Sequence, residues 1–183
     1  MSGETDTAGA GGGKNGARPR RTGSKPAESL TFDEIDQKIL DILQRDADTV
    51  VSAIAEEVGL SHTPCWRRIK RMEEAGLIKK RVVLVDQCRA NVPMTIFIGV
   101  TAPRHEISWL ERFCNLVDEI PEIVEAYRLT GTVDYILKVV VPDVATYDAV
   151  YKKMIERLEF SHVNSMISME ELKFTTAIPT RYL

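Results

Sequence analysis

Between two runs of helical periodicity the chain leaves only three residues, Gly59-Leu60-Ser61, and that tightness constrains the fold more than any other feature. Upstream, Val51, Ile54, Ala55 and Val58 recur at the spacing of one inward helix face. Downstream, Cys65, Ile69 and Met72 do the same. Gly59 suits the left-handed residue that ends a helix, Ser61 is a capping type, and Pro64 is tolerated within a first turn. Before this pair, "TFDEIDQKILDILQRDA" predicts another helix, with Thr31 and Glu34 as a capping box and Ile35, Ile39, Ile42 and Leu43 as its apolar stripe. After Gly76, "LIKKRVVLVD" reads as a strand entering or leaving a short hairpin. Three helices with a tight second connection and then a strand describe a winged helix-turn-helix.

The second half has a different rhythm. "MTIFIGVTA" reads as a strand and "EISWLERFCNLVDEI" as a helix, with Ile107, Leu110, Phe113, Leu116 and Val117 on its inner side. "IVEAYRLTG" and "VDYILKVVVP" read as strands joined around Gly131. "DVATYDAVYKKMIERL" fits a helix capped by Asp143, and "SHVNSMISMEELKFTTAIP" supplies the last strand. Strand, helix, strand, strand, helix, strand is the ferredoxin-like βαββαβ pattern, so the fold class expected is α+β. The expected boundaries are a disordered tail at 1–29, a DNA-binding domain at 30–80, a linker strand at 81–92 and the ferredoxin-like domain at 93–183. The tail is rich in Gly, Ala, Ser and Thr with almost no large apolar residue, and its cations could reach DNA phosphates.

Charge is informative locally rather than in total. The chain has 183 residues and a formal net charge of -3. Yet Arg67 to Arg81 gathers Arg67, Arg68, Lys70, Arg71, Lys79, Lys80 and Arg81 against only Glu73 and Glu74. No apolar run approaches the ~20 residues that span a bilayer. Cys65, Cys88 and Cys114 are odd in number and widely spaced, and the three histidines are isolated, so neither a disulfide framework nor a metal set is expected. A reduced, cytoplasmic protein without cofactor follows as the expectation.

At 100° per residue, Cys65, Ile69 and Met72 share one face of the third helix, and Thr63, Arg67, Lys70 and Arg71 fall roughly opposite. Arg68 lies on a flank, and Trp66 lies between the faces as a partly buried anchor. Such a helix fits a major groove, its first turns presenting side chains to base edges. The DNA-binding set is Ser61, His62, Thr63, Arg67, Arg68, Lys70 and Arg71. Arg67 is expected to contact a base, with Thr63 and His62 beside it, while Lys70, Arg71 and Lys79 to Arg81 hold phosphates.

"FDEIDQKILDILQRDA", "IAEEVGLSHTPCWRRIKRMEEAGLI" and "LTGTVDYILKVVVPDVATYDAVYKKM" together resemble the Lrp/AsnC family of bacterial transcription regulators. The resemblance runs from about Phe32 to "KFTTAIP", nearly the whole chain after the tail. It implies an N-terminal domain for double-stranded DNA and a C-terminal ferredoxin-like domain that takes an amino acid as effector. It also implies homodimers that assemble further, commonly to octamers, and an effector held near the turn joining the second and third strands. The matching positions are Thr130, Gly131 and Asp134, with Tyr127, Leu129 and Tyr135 close by. Backbone N–H groups around a glycine turn can receive a carboxylate, and Asp134 can balance an ammonium. Relatives commonly carry an acid immediately after that glycine, where this chain has Thr132. Two rivals remain at this stage. One is a tetrapyrrole decarboxylase of the haem pathway with similar architecture, for which Arg104 and His105 would be site residues. The other is an assembly module with vestigial DNA binding.

Overall fold

The computed structural model describes residues 31–183, so the proposed tail and its arm lie outside the described residues. These residues form two compact units. One runs to Lys79 and takes in Ala177–Leu183, and the other is Lys80–Thr176.

The first unit is built from α1 (Glu34–Arg45), α2 (Val51–Glu57) and α3 (His62–Glu74). Ile39, Ile42, Ile54, Ala55, Cys65, Ile69 and Met72 are buried together, as their periodicity requires. The turn between α2 and α3 opens on Gly59 at φ 72°, a conformation that costs a side-chain-bearing residue free energy. Ser61 occupies the N-cap of α3, but its hydroxyl makes no capping bond.

The α1 cap differs from the expectation. The helix starts two residues beyond the predicted box, with Asp33 as N-cap. Its carboxylate accepts from the N–H groups of Ile35 (3.0 Å) and Asp36 (2.9 Å), and the Asp36 carboxylate takes the Asp33 N–H at 3.1 Å. An Asp-x-x-Asp box has the same reciprocal geometry as Thr-x-x-Glu, and its charged acceptors bind the amides more strongly. The bond from the Asp36 amide, followed by that from the Arg68 guanidinium, holds the Asp33 carboxyl below its ordinary pKa.

Asp36 is the one buried charged residue among those described. Two guanidinium groups from α3 reach it. Arg68 Nη1 lies 3.0 Å from Asp36 Oδ1 and 2.8 Å from Asp33 Oδ2, and Arg71 Nη2 lies 2.6 Å from Asp36 Oδ2. Arg71 also sits over the Phe32 ring, 5.4 Å from its centroid. Hydrogen bonds to Asp36 and Asp33 raise the already high pKa of Arg68. The last seven residues extend the same unit. Gln44 donates to the Ile178 carbonyl at 3.1 Å and accepts from its N–H at 2.8 Å, while Thr180 bonds Asp41 at 2.8 Å.

"LIKKRVVLVD" forms no strand among the described residues. Val82, Val83, Leu84 and Val85 are all exposed, Val83 at 88%. The β-branched apolar run suits a strand, but among the described residues no neighbouring strand offers it a ladder.

The second unit is a four-stranded antiparallel sheet in the order β2-β3-β1-β4. Its strands are β1 (Met94–Thr101), β2 (Ile123–Arg128), β3 (Tyr135–Val141) and β4 (His162–Ile167). Two helices, α4 (Ile107–Glu119) and α5 (Val144–Arg157), complete the expected βαββαβ order. Tyr135, Leu137, Val139 and Val141 alternate inward on β3 and join Ile96, Ile98 and Val100 of β1 in the core. Asp143 caps α5 as expected, accepting from the Thr146 N–H at 2.7 Å. The inner stripe of α4 is Trp109, Phe113 and Leu116, whereas Ile107 is 78% exposed. Trp109 displaces it by stacking on Phe113 at 5.0 Å and donating to the Glu159 carbonyl at 2.8 Å.

The exposures of the ion-pair partners set the order of mutational costs. Arg68 and Arg71 retain 27% and 42% side-chain exposure and can hydrate if Asp36 is lost, whereas Asp36 has none. We expect Asp36→Asn to cost about 1–3 kcal/mol for weakened hydrogen bonds. The double variant Arg68→Ala/Arg71→Ala, which strands a buried carboxylate, should cost about 3–5 kcal/mol. Adding Asp36→Asn to the double variant should recover part of that loss. Urea unfolding of the four proteins measures the order directly.

Candidate functional site

The outward face of α3 follows from its burial pattern. Cys65, Ile69 and Met72 are buried, while His62, Thr63, Trp66, Arg67 and Lys70 are exposed. Among the described residues Arg67 enters no ion pair, and Lys70 is held at 2.6 Å by Glu73 one turn on. This leaves a hydrogen-bonding first turn, His62 and Thr63, followed by a guanidinium without an ion-pair partner among the described residues. That order fits base-edge contact near the start of a recognition helix.

Two of the predicted DNA contacts stand elsewhere. Arg68 and Arg71 do not project from this face as free cations. Both turn back to Asp36, because a long side chain on the flank of α3 can reach the α1 cap. Arg71 Nε is buried without a partner, while the side chain as a whole keeps 42% exposure. Ser61 is exposed at the N-cap beside them. Trp66, expected to be a partly buried anchor, is 45% exposed on the helix flank.

The predicted effector residues divide between two faces of the sheet. Arg128 pairs with Tyr135 and Tyr127 with Ile136, so Tyr127 and Tyr135 point to opposite sides. Tyr127 donates to Glu125 at 2.7 Å, and Lys138 approaches the same carboxylate at 3.4 Å. That hydrogen bond pushes the Tyr127 hydroxyl pKa up. Tyr135 lies on the helix-covered face, packed on Phe113 at 4.6 Å, and burial pushes its pKa up.

The connection itself is closed by the Leu129 N–H donating to the Asp134 carbonyl at 2.7 Å. Gly131 adopts φ 119°, which favours glycine, and Thr130 and Leu129 beside it are exposed. Asp134 is not a free carboxylate at the tip. Its N–H donates to the Val100 carbonyl at 3.1 Å, and Oδ2 accepts from the Ala102 N–H at 2.9 Å. His105 Nε2 lies 4.0 Å from Oδ1. Asp134 therefore ties the β2–β3 connection to the start of the β1–α4 connection.

On the helix-covered side, a cavity of about 120 Å³ is lined by Arg104, His105, Trp109, Leu110, Arg128 and Tyr135, among others. Of these, Tyr135 is among the effector residues expected from the sequence, and Arg104 and His105 are those of the rival enzyme. Arg128 and Trp109 were missed, although the period-2 pattern of β2 places Arg128 beside Tyr135. Among the described residues no group of three or more His, Cys, Asp or Glu could hold a metal. No described helix is long and apolar enough to cross a membrane.

A family model for winged helix-turn-helix DNA-binding domains matches residues 32–79, and one for the Lrp/AsnC ligand binding domain matches residues 95–178. The glutamate uptake regulatory protein of Zymomonas mobilis is 42% identical over 81% of this chain and 90% of its own length. Among solved structures, an AsnC family transcriptional regulator from Agrobacterium tumefaciens is 50% identical with a TM-score of 0.80, covering 83% of this chain and 99% of that one. A Neisseria meningitidis transcriptional regulator in complex with L-methionine is 29% identical with a TM-score of 0.79 over the same shares.

Proposed function

The chain belongs to the Lrp/AsnC family of transcriptional regulators, and from that premise we propose how its residues divide the work. It is a DNA-binding regulator, and α3 is the element that enters the major groove. Arg67 contacts a base edge, Thr63 and His62 read beside it, and Lys70 exchanges Glu73 for a phosphate. Arg68 and Arg71 hold α3 in place on α1 and do not read sequence. The observation that supports this division is the outward α3 face, where Arg67 alone has a guanidinium uncommitted to the α1 carboxylates. The comparisons favour a regulator over the tetrapyrrole decarboxylase, since the relatives named above are regulators.

The regulator acts as an oligomer whose basic unit is a homodimer. Val82 to Val85, together with Met169, Leu172 and Phe174, expose apolar side chains in the second unit. β4 ends the sheet with one hydrogen-bonding edge open. Exposed apolar surface and an open strand edge each favour association with a second copy. Two copies of α3 then meet successive major grooves about 34 Å apart, on a roughly palindromic site. Dimers assemble further, to a stoichiometry such as an octamer, in the cytoplasm. An amino acid binds the second unit near the β2–β3 connection and changes DNA affinity by favouring one assembly over another; that the Neisseria relative was solved in complex with L-methionine supports an amino acid as the effector.

Three outcomes are expected. Arg67→Ala should lower the preference for a selected duplex over its single-base variants by about 1–3 kcal/mol at the contacted position, read in competition gel shifts. Lys70→Ala should weaken every duplex alike and reduce the slope of log K against log salt by about 1. Val83→Asp should shift sedimentation toward the monomer while the helical signal of the first unit persists.

A further inference from the structure

Alone among the large apolar residues of α3, Trp66 is left outside, with 45% of its surface exposed. Cys65, Ile69 and Met72 are buried in the first unit, and the partly buried residues packed against that core do not include Trp66. Trp109, by contrast, is buried and donates its N–H to a carbonyl at 2.8 Å. The Trp66 N–H meets no protein acceptor among the described residues. At 100° per residue the ring stands one turn from both His62 and Lys70 and next in the chain to Arg67. Folding therefore leaves nearly half of a large apolar ring in water, in a helix where alanine or lysine has the better propensity. Something outside the first unit must cover it for that cost to be recovered.

The neighbours of the ring narrow what covers it. Arg67 and Lys70 are exposed cations on the same side of α3, so the covering surface is anionic. On the regulator reading that surface is duplex DNA, whose paired bases offer their edges and not their faces. In the major groove guanine and adenine present only polar groups, and cytosine presents an amino donor. Thymine presents a C5-methyl group beside the O4 acceptor. An indole has an apolar face and one N–H donor, and it accepts no hydrogen bond. Thymine is therefore the base whose edge complements it in both respects. We propose that Trp66 is a specificity-determining residue that packs its ring on the methyl group of a thymine in the major groove. The inference rests on the regulator reading above and deepens it by naming a base. That thymine lies within about two base pairs of the position Arg67 contacts, because side chains in the first turns of such a helix fall on successive bases. The two residues then read different features, Arg67 the acceptors of one base and Trp66 the methyl of another.

The test is a uracil scan of a duplex selected by the full-length protein. Each thymine is replaced singly by uracil, which removes only the C5-methyl and keeps base pairing and O4. In competition gel shifts the wild-type protein should lose about fourfold in affinity at one thymine near the Arg67 position in each half-site, the worth of one buried methyl. Trp66→Ala should bind the thymine and uracil duplexes of that position alike. Trp66→Phe, which keeps an apolar ring without the N–H, should retain the preference. Both variants should keep the wild-type helical circular dichroism, because Trp66 stands outside the core. A selected duplex with no thymine in that range, or no loss at any uracil within it, would overturn the proposal and leave the regulator reading standing. A loss that persists undiminished in Trp66→Ala would do the same. Failure of the wild-type protein to select any duplex over random sequence would overturn the regulator reading, and this inference with it.

Discussion

A carboxylate with no access to water must be surrounded by donors, and in this chain meeting that demand orients the whole DNA-binding unit. Asp36 cannot be hydrated, so the Asp33 amide, Arg68 and Arg71 converge on it. Two of these come from α3, and α3 is thereby fixed against the first turn of α1. The pairing brings little net stability when its desolvation is counted, because burying charge offsets most of the attraction. Its effect is on geometry. A helix held only by Cys65, Ile69 and Met72 could roll on an apolar surface, whereas one that must also satisfy Asp36 has a single angle of roll. That angle determines which side chains face a groove.

The arrangement explains why so many cations occupy one short element of an acidic chain. They serve two ends. Arg68 and Arg71 neutralise the carboxylates of α1, and Arg67 and Lys70 remain on the outside. The second unit uses acid–amide bonding in a similar way, since Asp134 spends one carboxylate oxygen on the Ala102 amide and so fixes two connections at one end of the sheet. In both units a carboxylate that accepts from a backbone amide ties two elements together.

Much of this was legible in the chain. Helical periodicity located α1 to α5, because each buries one stripe, and the alternation of β3 marked its buried face. The glycine turns at Gly59 and Gly131 were readable, since their backbone excludes most other residues. What escaped were choices among locally equivalent options. Thr31–Glu34 and Asp33–Asp36 both spell a capping box, and only the arrival of two arginines decides for the second. Helical angle places a Cα, not the end of an arginine, so Arg71 was read as outward although its guanidinium turns back. Val82 to Val85 have the composition of a strand, but a strand needs a ladder, and among the described residues none is offered. Ile107 and Trp109 are both apolar residues on α4, and the larger ring takes the interior because it can also satisfy its N–H.

The groove proposed for α3 can be mapped chemically. Dimethyl sulfate methylates guanine N7 in the major groove and adenine N3 in the minor groove, so interference by each modification distinguishes the two. With a duplex selected by the full-length protein, interference should fall on guanine N7 positions in two clusters about one helical turn apart. Interference confined to adenine N3, or absent from both grooves, would contradict the placement of α3 on which the rest depends.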